Sequence, residues 1–195
     1  MITTEQIKAL RDLTGVSVMQ CKKALEEAGG DMEKAQVILR KISKAQADKK
    51  ADRIFGAGVV QAYIHSNATV GAMVELVCET DFVANNDEFK AIARDIAMHA
   101  TASGAQYLRS SEIKEEDQRA AKEVFASEVE GKPENIKAQI LEGKLKAYFA
   151  EKTLLDQPFI KNPDITIQGL LDQAIQKFGE KIEVARFARF SVLSK

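Results

Sequence analysis

The sequence predicts an α+β fold: three short N-terminal helices, then a small antiparallel sheet with packed helices, and a helical hairpin. Three observations predict it. Apolar residues recur at helical spacing over most of the chain, from Ile7 and Leu10 to Leu170, Leu171, Ala174 and Phe178. Period-two alternation is confined to residues 58–65, 70–78 and 181–192. Two heavily charged helical runs, 112–130 and 134–152, meet at Gly131-Lys132-Pro133, a turn that folds them back on each other.

Composition bounds the rest. A chain of 195 residues suffices for one or two compact domains. Trp is absent and 6% of residues are aromatic, so the core is expected to be aliphatic and Ala-rich. Lys plus Arg is 28 and Asp plus Glu 29, a net charge of -1, without the positive excess that sequence-independent nucleic-acid binding uses. Cys21 and Cys78 lie in no CxxC motif and have no His beside them, so zinc spacing is missing. They read as small buried hydrophobes in a reducing compartment. No basic stretch leads into an apolar one at the N-terminus, and no apolar run approaches the ~20 residues of a membrane span. A soluble cytoplasmic protein is expected.

In the N-terminal part, the first helix runs from about Thr4 to Leu13 and stops at Thr14-Gly15. Ser17, with Gln20 three residues on, caps a second that carries Val18, Cys21, Leu25 and Ala28 and ends at Gly29-Gly30. Asp31 caps a third bearing Ala35, Ile38, Leu39 and Ile42. Met19 flanks the apolar face, either partly buried or open to a partner. Residues 1–43 therefore read as a three-helix bundle. Residues 44–54, without an apolar stripe, read as a helical or flexible linker. Its cations Lys44, Lys49, Lys50 and Arg53 are diluted by Asp48 and Asp52.

Residues 55–195 read as the core domain. Val60, Ala62 and Ile64 share one face of the first strand, and Ser66-Asn67-Ala68 turns the chain. Ala72, Val74, Leu76 and Cys78 share a face of the second. One face of this pair is expected to be buried and the other mixed. The polar link Glu79-Thr80-Asp81-Phe82-Val83-Ala84-Asn85 follows. Phe82 there either fills the core or is presented to a partner. A strong amphipathic helix comes next, with Asn85 and Glu88 as its cap signal and Phe89, Ile92, Ala93, Ile96, Ala97 and Ala100 on one stripe. His99 lies at the stripe's edge. In the hairpin, expected at 112–152, Val124, Phe125 and Val129 are placed against Ile136, Ile140, Leu141 and Leu145. Residues 153–165, with Pro158 and Pro163, read as irregular, and Thr166 caps the next helix, which Gly179 closes. In the last strand Ile182, Val184, Ala188, Phe190 and Val192 fall on one face, but Arg186 intrudes there and Phe187 on the other, so a bulge or two-sided burial is open.

Catalytic machinery is hard to find. There is no GxxxxGK[ST] or GxGxxG loop, no nucleophile elbow with a His base, and only His65 and His99 for imidazole chemistry. No cofactor or metal is expected, and binding is favoured over catalysis. An alternative is an RNA- or ribosome-associated adapter using Lys22, Lys23, Lys44, Lys49 and Lys50.

Two long stretches then combine. Residues 13–25, Leu-Thr-Gly-Val-Ser-Val-Met-Gln-Cys-Lys-Lys-Ala-Leu, resemble the N-terminal signature of the elongation factor Ts family, although Val16 and Val18 differ from its commoner residues. Residues 74–85, Val-Glu-Leu-Val-Cys-Glu-Thr-Asp-Phe-Val-Ala-Asn, resemble its second signature. Residues 96–100, 142–145 and 157–159 also look like the family, in the same order. The resemblance implies a guanine nucleotide exchange factor for elongation factor Tu. It implies a ubiquitin-associated-like N-terminal bundle, and no direct binding of nucleotide, nucleic acid or membrane. The chain carries one core module where the long family form has two, so a homodimer is the implied source of the second. Carried over by motif, Thr80, Asp81, Phe82 and Val83 would engage the GTPase near its magnesium and nucleotide. Arg11, Val18 and Met19 would dock the bundle, and His99 would contact a further domain of the partner. The resemblance turns the open reading of Phe82 toward exposure.

Overall fold

Each N-terminal helix starts where a polar side chain answers a backbone amide that has no partner inside the helix. In the computed structural model, which describes residues 2–129 and 133–192, Thr3 caps α1 (Thr4–Thr14) in a reciprocal capping box with Gln6. Ser17 caps α2 (Val18–Glu27) and Asp31 caps α3 (Met32–Asp48). The apolar stripes meet in a small core of Leu10, Val16, Cys21, Ala24, Leu25, Ala35 and Leu39. Each fully buried Leu there contributes about 2 kcal/mol, which lets so short a bundle hold together.

The core follows in the order β1 (Ala57–Ile64), β2 (Val70–Cys78), α4 (Asp81–Ala84), α5 (Asp87–Ser103), α6 (Glu115–Glu128), α7 (Glu134–Ala150), β3 (Pro158–Phe159), β4 (Asn162–Thr166), α8 (Ile167–Phe178) and β5 (Glu183–Ser191). β2 is central in an antiparallel sheet of order β1-β2-β5. One face of that sheet is covered by α5, through Phe89, Ala93, Ile96, Ala97 and Ala100 against Ala72, Val74, Leu76 and Cys78. α8 closes the core with Ile167, Leu171, Ala174 and Ile175.

α3 does not stop at residue 43. It continues to Asp48, so residues 44–48 of the stretch read as a linker are helical, and α3 packs along α8. Ser43 is buried in that seam. Its hydroxyl donates to Leu39 O at 2.9 Å and also meets Gln176 Oε1. Arg40 Nη1 donates to Asp164 O at 3.1 Å.

Several local expectations are corrected. On β1 the inward residues are Val59, Gln61 and Tyr63, while Val60, Ala62 and Ile64 face solvent. Register explains this: Ala62 pairs with Met73 and Gln61 with Val74, so the Val74 face of β2 draws the odd residues of β1 inward. On β5 a register shift opposite Glu75 and Leu76 breaks the alternation. Ile182 and Val184 are buried, whereas Ala188, Phe190 and Val192 are exposed; the shared face is therefore split by a bulge. Residues 153–165 are less irregular than read, since β3 and β4 form a two-stranded ribbon. The cap of α5 is Asn86, one residue after Asn85. In the α6–α7 pair Phe125 packs edge-on against Tyr148, with ring centroids 5.4 Å apart. Val124 and Ile136 stay exposed, contrary to the facing pattern read from the sequence. Gly131 and Lys132, read as its turn, lie outside the described residues.

Candidate functional site

α4 has four residues, too few to be stable as an isolated helix. It is held from both ends. Thr80 is its N-cap: the hydroxyl accepts from Val83 N–H at 3.5 Å. On the inner side Val83 and Ala84 are buried in the core under β1 and β2. On the outer side Phe82 is 82% exposed, which removes the core-filling alternative. Asp81 is also exposed. Val83, expected to touch the partner with them, is 4% exposed and serves as the anchor instead. The difference is geometric, because successive residues of one helical turn point in directions about 100° apart.

The backbone leading into this turn is clamped from a distant part of the chain. Glu180 follows Gly179, whose left-handed conformation (φ 75°) ends α8. The Glu180 carboxylate accepts from Glu79 N–H at 3.1 Å and Thr80 N–H at 3.0 Å, both on Oε2, and from the Thr80 hydroxyl at 2.5 Å on Oε1. Glu79 reciprocates: its Oε1 accepts from Lys181 N–H at 2.5 Å and from Arg53 at 3.1 Å. Burial would raise the Glu79 pKa, but the Lys181 amide and the Arg53 guanidinium outweigh it and hold the carboxyl below its ordinary value. Behind the turn, the Cys78 thiol donates to Thr80 O at 3.2 Å, and burial pushes it up to about 11. It is a neutral packing group there. Nothing in the local sequence marked Glu180, Arg53 or Lys181. A glycine-capped helix followed by an acid is common, and pairing across a hundred residues leaves no periodic trace.

The N-terminal bundle reaches the same end of the molecule. Lys177 Nζ lies beside the turn at Gly15 and pairs with Glu88 in the first turn of α5. The α1–α2 turn and the start of α5 are thereby linked through one lysine. Arg11 is exposed, and Val18 and Met19 are 51% and 70% exposed, with Leu13 exposed nearby. This resolves the two readings of Met19 in favour of exposure.

His99 is placed differently from the other sequence-predicted residues. Its ring is 4% exposed and packs near Phe159. Nε2 lies 2.9 Å from Gln157 Oε1, and Nδ1 accepts from Ile160 N–H at 3.2 Å. That pair of partners requires the neutral ring with its proton on Nε2. Burial lowers the His99 pKa, only partly opposed by the bond to Gln157. The side chain is thus enclosed in the free chain, while Ile160, whose amide it holds, is 51% exposed.

The residues 3–194 match the family model described as elongation factor TS. The chain belongs to the elongation factor Ts family. It is 50% identical to the elongation factor Ts of Carboxydothermus hydrogenoformans over 98% of this chain and 89% of that protein. With the elongation factor Ts of Thermodesulfovibrio yellowstonii it shares 48% identity over 98% and 96% of the two chains. With that of Geobacter sulfurreducens it shares 46% over 97% and 88%. Membership places the chain among translation elongation factors, in protein biosynthesis. Among the described residues no group of three or more His, Cys, Asp or Glu could hold a metal ion, and no helix is long and apolar enough to cross a membrane.

Proposed function

We propose that the protein is a guanine nucleotide exchange factor for elongation factor Tu, with Phe82 as its working side chain. One observation carries this reading: an aromatic side chain stands 82% exposed on a turn whose backbone is fixed on both sides. A large apolar group on a rigid mount is what hot-spot binding requires. Burying it in a partner contributes about 2 kcal/mol. Asp81 beside it would compete for the partner's magnesium and phosphate contacts, and Val83 would hold the turn down. Arg11, Val18 and Met19 would dock the bundle on the GTPase domain. His99 would act through the Gln157–Ile160 segment that it holds.

The factor need not bind nucleotide. It must bind the nucleotide-free GTPase better than the GDP-bound one, and by linkage it then weakens GDP equally; a coupling of about 3 kcal/mol weakens it roughly 150-fold. The test is release of fluorescent GDP from elongation factor Tu. The wild-type chain should accelerate it, and Phe82→Ala should lose most of the acceleration while melting normally. Absence of acceleration by the wild-type chain would end the proposal.

A second copy is part of this reading. The outer face of the sheet exposes Val60, Ile64, Met73, Phe190 and Val192. Ile64 lies across Gly71, which pairs with Phe190, so this end of the face is continuous and apolar. At the other end Arg186 pairs with Glu75 at 2.6 Å. Two such faces would cover each other in a homodimer. Phe190→Asp should then halve the solution mass without unfolding the chain; a wild-type monomer at micromolar concentration would contradict the pairing. The RNA-adapter alternative gains no support from the charge balance, 28 Lys and Arg against 29 Asp and Glu.

A further inference from the structure

We propose that Glu180 is a positioning residue of the exchange tip: its carboxylate sets the direction in which Asp81 and Phe82 meet the partner GTPase. The inference rests on the reading of Phe82 as the working side chain. Three donors converge on this one carboxylate, namely the amides of Glu79 and Thr80 and the hydroxyl of Thr80. The two amides are the last backbone groups before the turn and the hydroxyl is its cap, so together they define how α4 leaves β2. Glu180 is itself fixed. Gly179 turns the chain in the left-handed region, where a residue with a Cβ is disfavoured. One residue further on, Lys181 N–H returns a bond to Glu79, and Lys181 Nζ donates to Ala51 O at 2.5 Å and Arg53 O at 3.1 Å. The two strands leading to and from this point therefore hold each other reciprocally.

Two anchors divide the work. Val83 and Ala84 hold the turn to the core by burial. Burial is non-directional and leaves the turn free to rock. Hydrogen bonds to a carboxylate are directional and fix its angle. Removing Glu180 should then leave the fold and the affinity-giving surfaces in place while letting Phe82 swing. A working group displaced by about 1 Å can lose orders of magnitude in rate while binding persists.

The experiment measures fluorescent GDP release from elongation factor Tu against concentration of the full chain, giving a plateau rate and a half-saturating concentration. For Glu180→Ala the plateau should fall about tenfold, with half-saturation within about twofold of wild type. Glu180→Gln should recover most of the plateau, because one amide oxygen can still accept both backbone N–H groups. Glu180→Asp, one methylene shorter, should not recover it, and it carries the test if Glu180→Ala does not fold. A normal plateau in Glu180→Ala, beside a deficient Phe82→Ala, overturns the positioning role alone. So does a Glu180→Gln plateau as low as that of Glu180→Ala, which would indicate a need for the charge and not for the bonds. Full-rate exchange by Phe82→Ala overturns the tip reading and this role with it.

Discussion

Phe82 and His99 lie near opposite ends of α5, and the sequence proposes both as partner contacts. One stands at the turn that leads into the helix, 82% exposed, and the other sits in its C-terminal half, 4% exposed with both ring nitrogens engaged. The difference teaches that residues of one family's motifs can be presented outward or held within the fold. Phe82 has no polar atom to satisfy, so its exposure has only an apolar cost, recoverable on binding. His99 has two polar atoms inside the protein, so its environment is specified by hydrogen bonding. A side chain so specified maintains the shape of its own fold.

The largest effect should separate the two by observable. Phe82→Ala should cost about 2 kcal/mol of transition-state or complex stabilisation, a roughly 30-fold loss of exchange, with melting unchanged within a degree or two. A drop in melting temperature as large as that of a core variant would put Phe82 back among packing residues and erase the contrast.

His99→Ala should do the reverse. It removes a buried ring and leaves Gln157 Oε1 and the Ile160 amide without these partners, at about 2–4 kcal/mol. For a chain of this size that lowers the melting temperature by roughly 5–10 °C. Exchange below the melting transition should fall less than for Phe82→Ala. If instead His99→Ala melts normally but loses exchange, the histidine contacts the partner and the buried geometry is not the working one.

What was legible in the sequence divides along the same line. Periodicity revealed α5, α8 and the inner face of β2, because burial there is one-sided and repeats. Caps at Ser17, Asp31 and Thr166 were legible because each is a local bond between near neighbours. The faces of β1 and β5 were not. Small and apolar residues occupy both sides of β1, and which side turns inward is set by pairing with β2; on β5 a single bulge inverts the second half. Of the site, the exposed Phe82 and Met19 could be located by motif. The burial of Val83 followed only from the helical turn at 81–84. Glu180 was invisible, since its role comes entirely from long-range bonds to residues 79 and 80.

The smallest effect is a pH dependence, and it tests the holding role of His99 without changing its shape in the native state. Burial holds the folded-state pKa of His99 below its ordinary value near 6.5. The unfolded chain therefore binds more protons than the native one as pH falls through about 6.5, and stability must decrease with falling pH there. The loss grows until the folded-state pKa is reached and then levels off. Chemical denaturation at pH 7.5 and pH 5.5 should show wild type losing stability toward acid, and His99→Gln, which cannot titrate, should lose less. The difference between the two slopes isolates this residue from the carboxylates common to both chains. Parallel slopes would mean that the folded chain protonates the ring as readily as the unfolded one does, as for a ring open to water, and a wild type that loses less than His99→Gln would mean that the ring already carries its proton in the folded state. Either would make His99 resemble Phe82 more than its hydrogen bonds allow.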